Sequence, residues 1–157
     1  MSVEGFLNPQ VCNLNFDCIK SKMSMNLNKL GWDQSDLELA EREYRRFLTL
    51  IVLNPGKAIV PTKLVDEFWH QHILDTQAYG DDCHQVFGAF VHHYPYFGIN
   101  GKEDKLNLDK TFEETQRLYL EQFKEVMPKL MASRCEGHAC HVESDCACRV
   151  SGACKNM

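Results

Sequence analysis

Residues 66–98 read DEFWHQHILDTQAYGDDCHQVFGAFVHHYPYFG, and five of the chain's seven histidines lie in them. The start of this stretch keeps helical phase, and the reading of the fold begins there. Val65, Phe68, Trp69, His72, Ile73 and Thr76 recur at three- and four-residue steps, which predicts a helix over 62–76 with these side chains on its buried stripe. Pro61 stands near the first helical position, where its missing N–H does no harm. A further helix over 77–87 carries Tyr79 and Cys83 inward, and Gly88 ends or bends it. Pro and Gly in HHYPYFGING (92–101) predict a loop.

Helical phase also separates the histidines. His72 takes the place of an aromatic core residue, and a buried imidazole there needs only a hydrogen-bond partner. His70 falls off the stripe, one turn after Asp66, so carboxylate and imidazole share a helix face. Such a pair is an ordinary surface contact, two metal ligands, or a carboxylate orienting a ligating histidine. If the chain turns back after 87, the His92–His93 pair supplies a third group. Asp66, His70 and His93 then make an open site suited to Zn(II) or Fe(II), since imidazole and carboxylate serve both ions. Cys83 continues the inward stripe as a small buried hydrophobe. A catalytic thiol there would need His70 or His93 close in space, which adjacency to His84 does not provide. No Gly-rich phosphate loop, nucleophile elbow or HExxH motif is present.

Outward from this stretch, SDLELAEREYRRFLTLIVLNPG predicts a long helix capped by Ser35 or Asp36 and stopped by Pro55–Gly56. Leu37, Ala40, Tyr44, Phe47, Leu48, Ile51 and Val52 form its apolar face. On the other side, Phe112, Thr115, Leu118, Tyr119, Gln122, Phe123 and Val126 predict a last helix over 108–126, closed by Pro128. Residues 1–34 are rich in Asn and Ser, with room for a short helix over 14–23. No segment alternates for long as a strand. The expectation is therefore an all-α body of four to five helices over 35–128, between a polar segment (1–34) and an irregular Cys-rich tail (129–157).

Composition narrows the function classes. With 157 residues, 44% of them hydrophobic, the chain can bury a core of its own. A formal charge of −5 offers no basic stripe for nucleic acid and no polybasic membrane anchor. The N-terminus does not read as a secretory signal, and FLTLIVL (47–53) is too short to span a bilayer. A cytoplasmic protein without nucleic-acid or membrane partners is expected. Five of the eight cysteines fall in 135–154, which favours reduced or metal-bound thiols over a disulfide scaffold.

The pattern of Asp66, Trp69, His70, Tyr79, Cys83, Gly88 and His92–His93 resembles the glycine-rich domain-containing protein-like family. The resemblance extends back through EYRRFLTLIVLNPG and forward to TFEETQRLYLEQF, covering about residues 38–126. It implies a helical domain, brings no settled activity, and strengthens the reading of Asp66, His70 and His93 as a site. The Gly-rich regions of that family's plant members have no counterpart here.

The tail segment CEGHACHVESDCACRVSGAC (135–154) offers Cys135, His138, Cys140, His141, Cys146, Cys148 and Cys154 as soft ligands for Zn(II) or Cu(I). Its spacing matches no standard zinc finger, and a redox-active tail or a modification substrate are the competing readings. Three functions follow. The leading one is an intracellular metal-binding protein in homeostasis, sensing or delivery, its tail binding zinc and its helical body docking on an unidentified protein partner. The alternatives are a metal-dependent enzyme using Asp66, His70 and His93, in a pocket lined by Trp69 and Tyr79, and a metal-free interaction scaffold.

Overall fold

The computed structural model describes residues 6–128 and the backbone of residues 141–142. Within them the chain is mostly helical: α1 (Pro9–Cys12), α2 (Asp17–Ser24), α3 (Leu27–Leu30), α4 (Gln34–Leu53), α5 (Lys63–Leu74), α6 (Thr76–Phe87) and α7 (Lys102–Phe123). Two short strands, β1 (His93–Tyr94) and β2 (His141–Val142), pair antiparallel. The helical class holds, and α4 to α7 are the four long helices that periodicity predicts. The count rises to seven among the described residues because three short helices occupy the Asn/Ser-rich start.

Helix α4 is central, packing on α1, α2, α5 and α7. Its cap lies two to three residues earlier than Ser35 or Asp36, at Asp33. The Asp33 carboxylate accepts from the Asp36 amide at 3.0 Å, and the Asp36 carboxylate accepts from the Asp33 amide at 2.9 Å, a reciprocal capping box. The Thr62 hydroxyl caps α5, so Pro61 lies just outside the helix rather than in its first turn. Helix α6 ends as expected at Gly88, whose φ of +72° is the left-handed geometry of a C-terminal cap.

The first 30 residues contribute more than their polarity suggests: Val11, Leu14, Phe16, Ile19 and Met23 are all buried. Arg45 on α4 holds this segment down. Its guanidinium donates to the carbonyls of Val11 at 2.7 Å and Leu14 at 2.9 Å, and lies 4.5 Å from the centre of the Phe16 ring. One cation thus ties the end of α1 and the loop after it to α4.

Helix α7 starts at Lys102, six positions before the apolar pattern begins. Glu103 and Asp104 favour a helix N-terminus. Asp104 also accepts from the amides of Gly98 at 2.7 Å and Asn100 at 3.1 Å, fixing the loop ahead of it. Gly98 has φ +89°, and a Cβ there would sit 2.6 Å from Leu108, so the loop presses on α7 as only glycine allows.

Two charges are buried among the apolar residues of α4. The side chains of Glu43 and Arg46 are both 1% exposed and lie 3.5 Å apart. Arg46 also donates to the Tyr119 hydroxyl and to Glu125 at 3.1 Å, and its guanidinium stands over the Phe123 ring. Tyr119 passes the connection on, donating to Glu43 at 2.7 Å. This network fastens α4 to α7. Arg42, half-exposed, also pairs with Glu43 at 3.0 Å, so removing Arg46 leaves the buried carboxylate with that one cation, at a cost of several kcal/mol. Arg46→Met is expected to lower stability by about 3 kcal/mol in urea unfolding. Adding Glu43→Gln should restore part of that loss, because the amide still accepts from Tyr119 without a charge to strand.

Candidate metal centre

The four-residue step between Asp66 and His70 brings their side chains together on α5. Helix α6 and the turn at Gly88 then return the chain so that β1 lays His93 against the same spot. His93 Nε2 is 3.0 Å from Asp66 Oδ1, His70 Nε2 is 3.2 Å from Asp66 Oδ2, and the two Nε2 atoms are 3.0 Å apart. The Asp66 side chain is 3% exposed, His93 12% and His70 35%, so the group is closed on the carboxylate side and open beside His70.

Hydrogen bonds between these three groups do not satisfy all three contacts together. A carboxylate only accepts, so each imidazole reaches Asp66 by carrying a proton on Nε2. With both Nε2 atoms protonated, two N–H groups face one another across 3.0 Å. With one proton removed, that imidazole turns a lone pair toward a carboxylate 3.0–3.2 Å away. A single cation at the centre would meet all three groups, since each can offer it a lone pair.

A second layer of contacts positions His93. The Tyr79 hydroxyl donates to the carbonyl of Val91, two residues before His93. Trp69 Nε1–H donates to the Tyr79 oxygen at 3.1 Å, and the Trp69 ring packs 4.4 Å, centre to centre, from the His93 imidazole. Burial raises the Tyr79 pKa, which keeps its hydroxyl protonated as the donor. Sequence reasoning placed Trp69 and Tyr79 in the core by their phase but gave them no part in holding His93. Only the tertiary return of 88–94 creates that contact.

The remaining candidates fall elsewhere. His92 is exposed, with its ring against Phe90, and His84 is exposed on α6. Cys83 is buried, and burial pushes its thiol pKa up, away from the thiolate a nucleophile needs. Trp69 and Tyr79, the expected pocket lining, are 0% and 2% exposed and packed in the core. A small cleft lies between α4, the start of α5 and α7, lined by Glu43, Phe47, Val60, Thr62, Thr115 and Tyr119 among others. Of the tail candidates, Cys135, His138, Cys140, Cys146, Cys148 and Cys154 lie outside the described residues. Only the backbone of His141 is described, opposite Tyr94 in the β1–β2 pair, with Val142 opposite His93.

His72 is a core residue with two partners rather than one. Asp82 can only accept, so His72 Nε2–H donates to it at 2.7 Å; Nδ1 then accepts from the Tyr44 hydroxyl at 2.7 Å. Phe16, Tyr44 and Tyr79 present their rings to its edges and faces.

The fold and site together describe a helical domain with an Asp/His/His cluster at one edge. The chain belongs to the UCP032817-like family, whose model matches residues 15–129. No curated protein and no solved structure matches it.

Burial pushes the His72 pKa below its ordinary 6.5, against the pull of Asp82. The unfolded chain therefore takes up a proton at this residue before the folded one does. The stability this histidine contributes is intact above about pH 6.5 and declines as pH falls below it. Melting temperatures recorded from about pH 7.5 down to about pH 5 should fall less steeply for His72→Gln than for the parent chain.

Proposed function

We propose that this chain is a metal-binding protein whose body holds one divalent first-row cation through Asp66, His70 and His93. The observation that carries this reading is the convergence of two imidazole nitrogens and a buried carboxylate through contacts of 3.0–3.2 Å. Zn(II) and Fe(II) both suit the donor set. The ion would offset the charge of the buried Asp66 carboxylate. The soft ligands of residues 135–154 fit a second role in the same protein, binding Zn(II) or Cu(I) for homeostasis, sensing or delivery in the cytoplasm. The β1–β2 pairing, which brings the tail backbone alongside His93, supports tail and body working together. Relationship to the glycine-rich domain-containing proteins is part of the same proposal, resting on the Trp69–His70 and His92–His93 motifs.

Elemental analysis after native purification under reducing conditions tests the body site. The full chain should carry metal that His70→Ala and His93→Ala each lose, while a variant with all five tail cysteines replaced by serine keeps it. Adding the identified ion at about 100 times its Kd should stabilise the parent by about 2.7 kcal/mol, and His93→Ala far less. A scaffold without metal gives the opposite pattern: His70→Ala lowers stability and leaves metal content unchanged.

A further inference from the structure

We infer that Tyr79 is a positioning residue of the Asp66/His70/His93 site: its hydroxyl pins the backbone that carries His93, and so sets how tightly the site holds a divalent cation. This rests on the body-site reading above and names what controls the affinity of that site.

The three side chains come from two parts of the chain that are fixed in different ways. Asp66 and His70 belong to α5, where the helix itself sets their spacing. His93 follows residues 89–92, which lie between the left-handed turn at Gly88 and β1 and belong to no helix or strand. The strand that carries it is two residues long, too short to order itself. A ligand on such a segment is available only for the fraction of molecules in which its backbone is in place. Apparent affinity for an ion falls by that fraction.

Tyr79 supplies the fixed point. Its side chain is held in the core, and its hydroxyl donates to the carbonyl of Val91, two residues before His93. The same oxygen accepts from Trp69 Nε1–H at 3.1 Å, and the Trp69 ring packs against the His93 imidazole. Trp69 directly precedes His70, so these contacts tie the returning backbone to the helix that bears the other two ligands. Cys83, one turn further along α6, faces the Val91 backbone and the Tyr79 hydroxyl as well. The ring of Tyr79 has a separate task, packing edge-on against His72 and Phe90. Tyr79→Phe therefore keeps the packing and deletes only the two hydrogen bonds.

Zinc affinity, measured by chelator competition on the full chain with its five tail cysteines replaced by serine, tests this. Tyr79→Phe should bind zinc about 10- to 100-fold more weakly than its parent, the range met when supports of ligating side chains are removed. Tyr44→Phe is the control, because it removes a comparably buried hydroxyl that serves His72 instead; its zinc affinity should match the parent's. Equal affinity in Tyr79→Phe and the parent, or equal weakening in both tyrosine variants, would overturn the positioning role. A second measurement needs no variant. NMR contacts between the Trp69 ring and the His93 imidazole should be present in the metal-free parent. Contacts that arise only after zinc is added would mean that the ion places His93, and would overturn the inference while leaving the metal site standing. A parent that binds zinc no more tightly than His93→Ala would overturn the body-site reading, and this inference with it.

Discussion

The carboxylate of Asp66 has almost no solvent, and a buried charge must be met by partners or by an ion. Much of the local architecture follows from that requirement. Helix α5 can supply one imidazole, His70, from its own next turn. The second comes from another part of the chain, so α6 runs back along α5 and the left-handed turn at Gly88 sends the backbone toward β1. The Tyr79 hydroxyl then holds the Val91 carbonyl, and Trp69 fills the space behind His93. Site and core share side chains here: Trp69 packs on Phe47 of α4 as well as on His93.

The two histidine environments of α5 show how about half a turn of helix separates structure from chemistry. His72 faces α4 and α6, where a tyrosine and an aspartate each take one of its nitrogens, so its two nitrogens are both engaged. His70 and His93 point their Nε2 atoms at each other and at one carboxylate. The first arrangement is complete as it stands. The second gathers two imidazoles and a carboxylate at one point, a donor set that a metal ion could use.

The long helices were legible in the sequence because α4, α5, α6 and the second half of α7 bury regular stripes. Asp66 and His70 were legible as a pair from their spacing, and His93 as a candidate from its position after a break. What spacing could not convey was the return of β1 to α5, which depends on Gly88 and on a hydrogen bond from Tyr79. Of the short helices before α4, α2 was legible within 14–23, while α1 and α3 were obscured because the segment's five core residues are scattered among Asn, Ser and Lys, and because Arg45, on another helix, secures the segment. The first turns of α7 were hidden by KEDK, whose charges suit a helix start but carry no apolar period. Glu43 and Arg46 escaped notice for the opposite reason. Their phase is that of the buried face, but their charge argued for solvent until Tyr119 and Glu125 were in place.

The pairing of β1 with β2 is only two residues long, and a ladder of that size has no independent stability in water. Covalent linkage through the chain after Phe123 changes the arithmetic. A tethered segment meets its partner at an effective concentration in the millimolar range, whereas the same peptide supplied separately would have to reach that level in bulk. The segment is therefore presented to one address on its own body, the strand that carries His93. Competing segments from other molecules would have to overcome that advantage of proximity before they could occupy the edge.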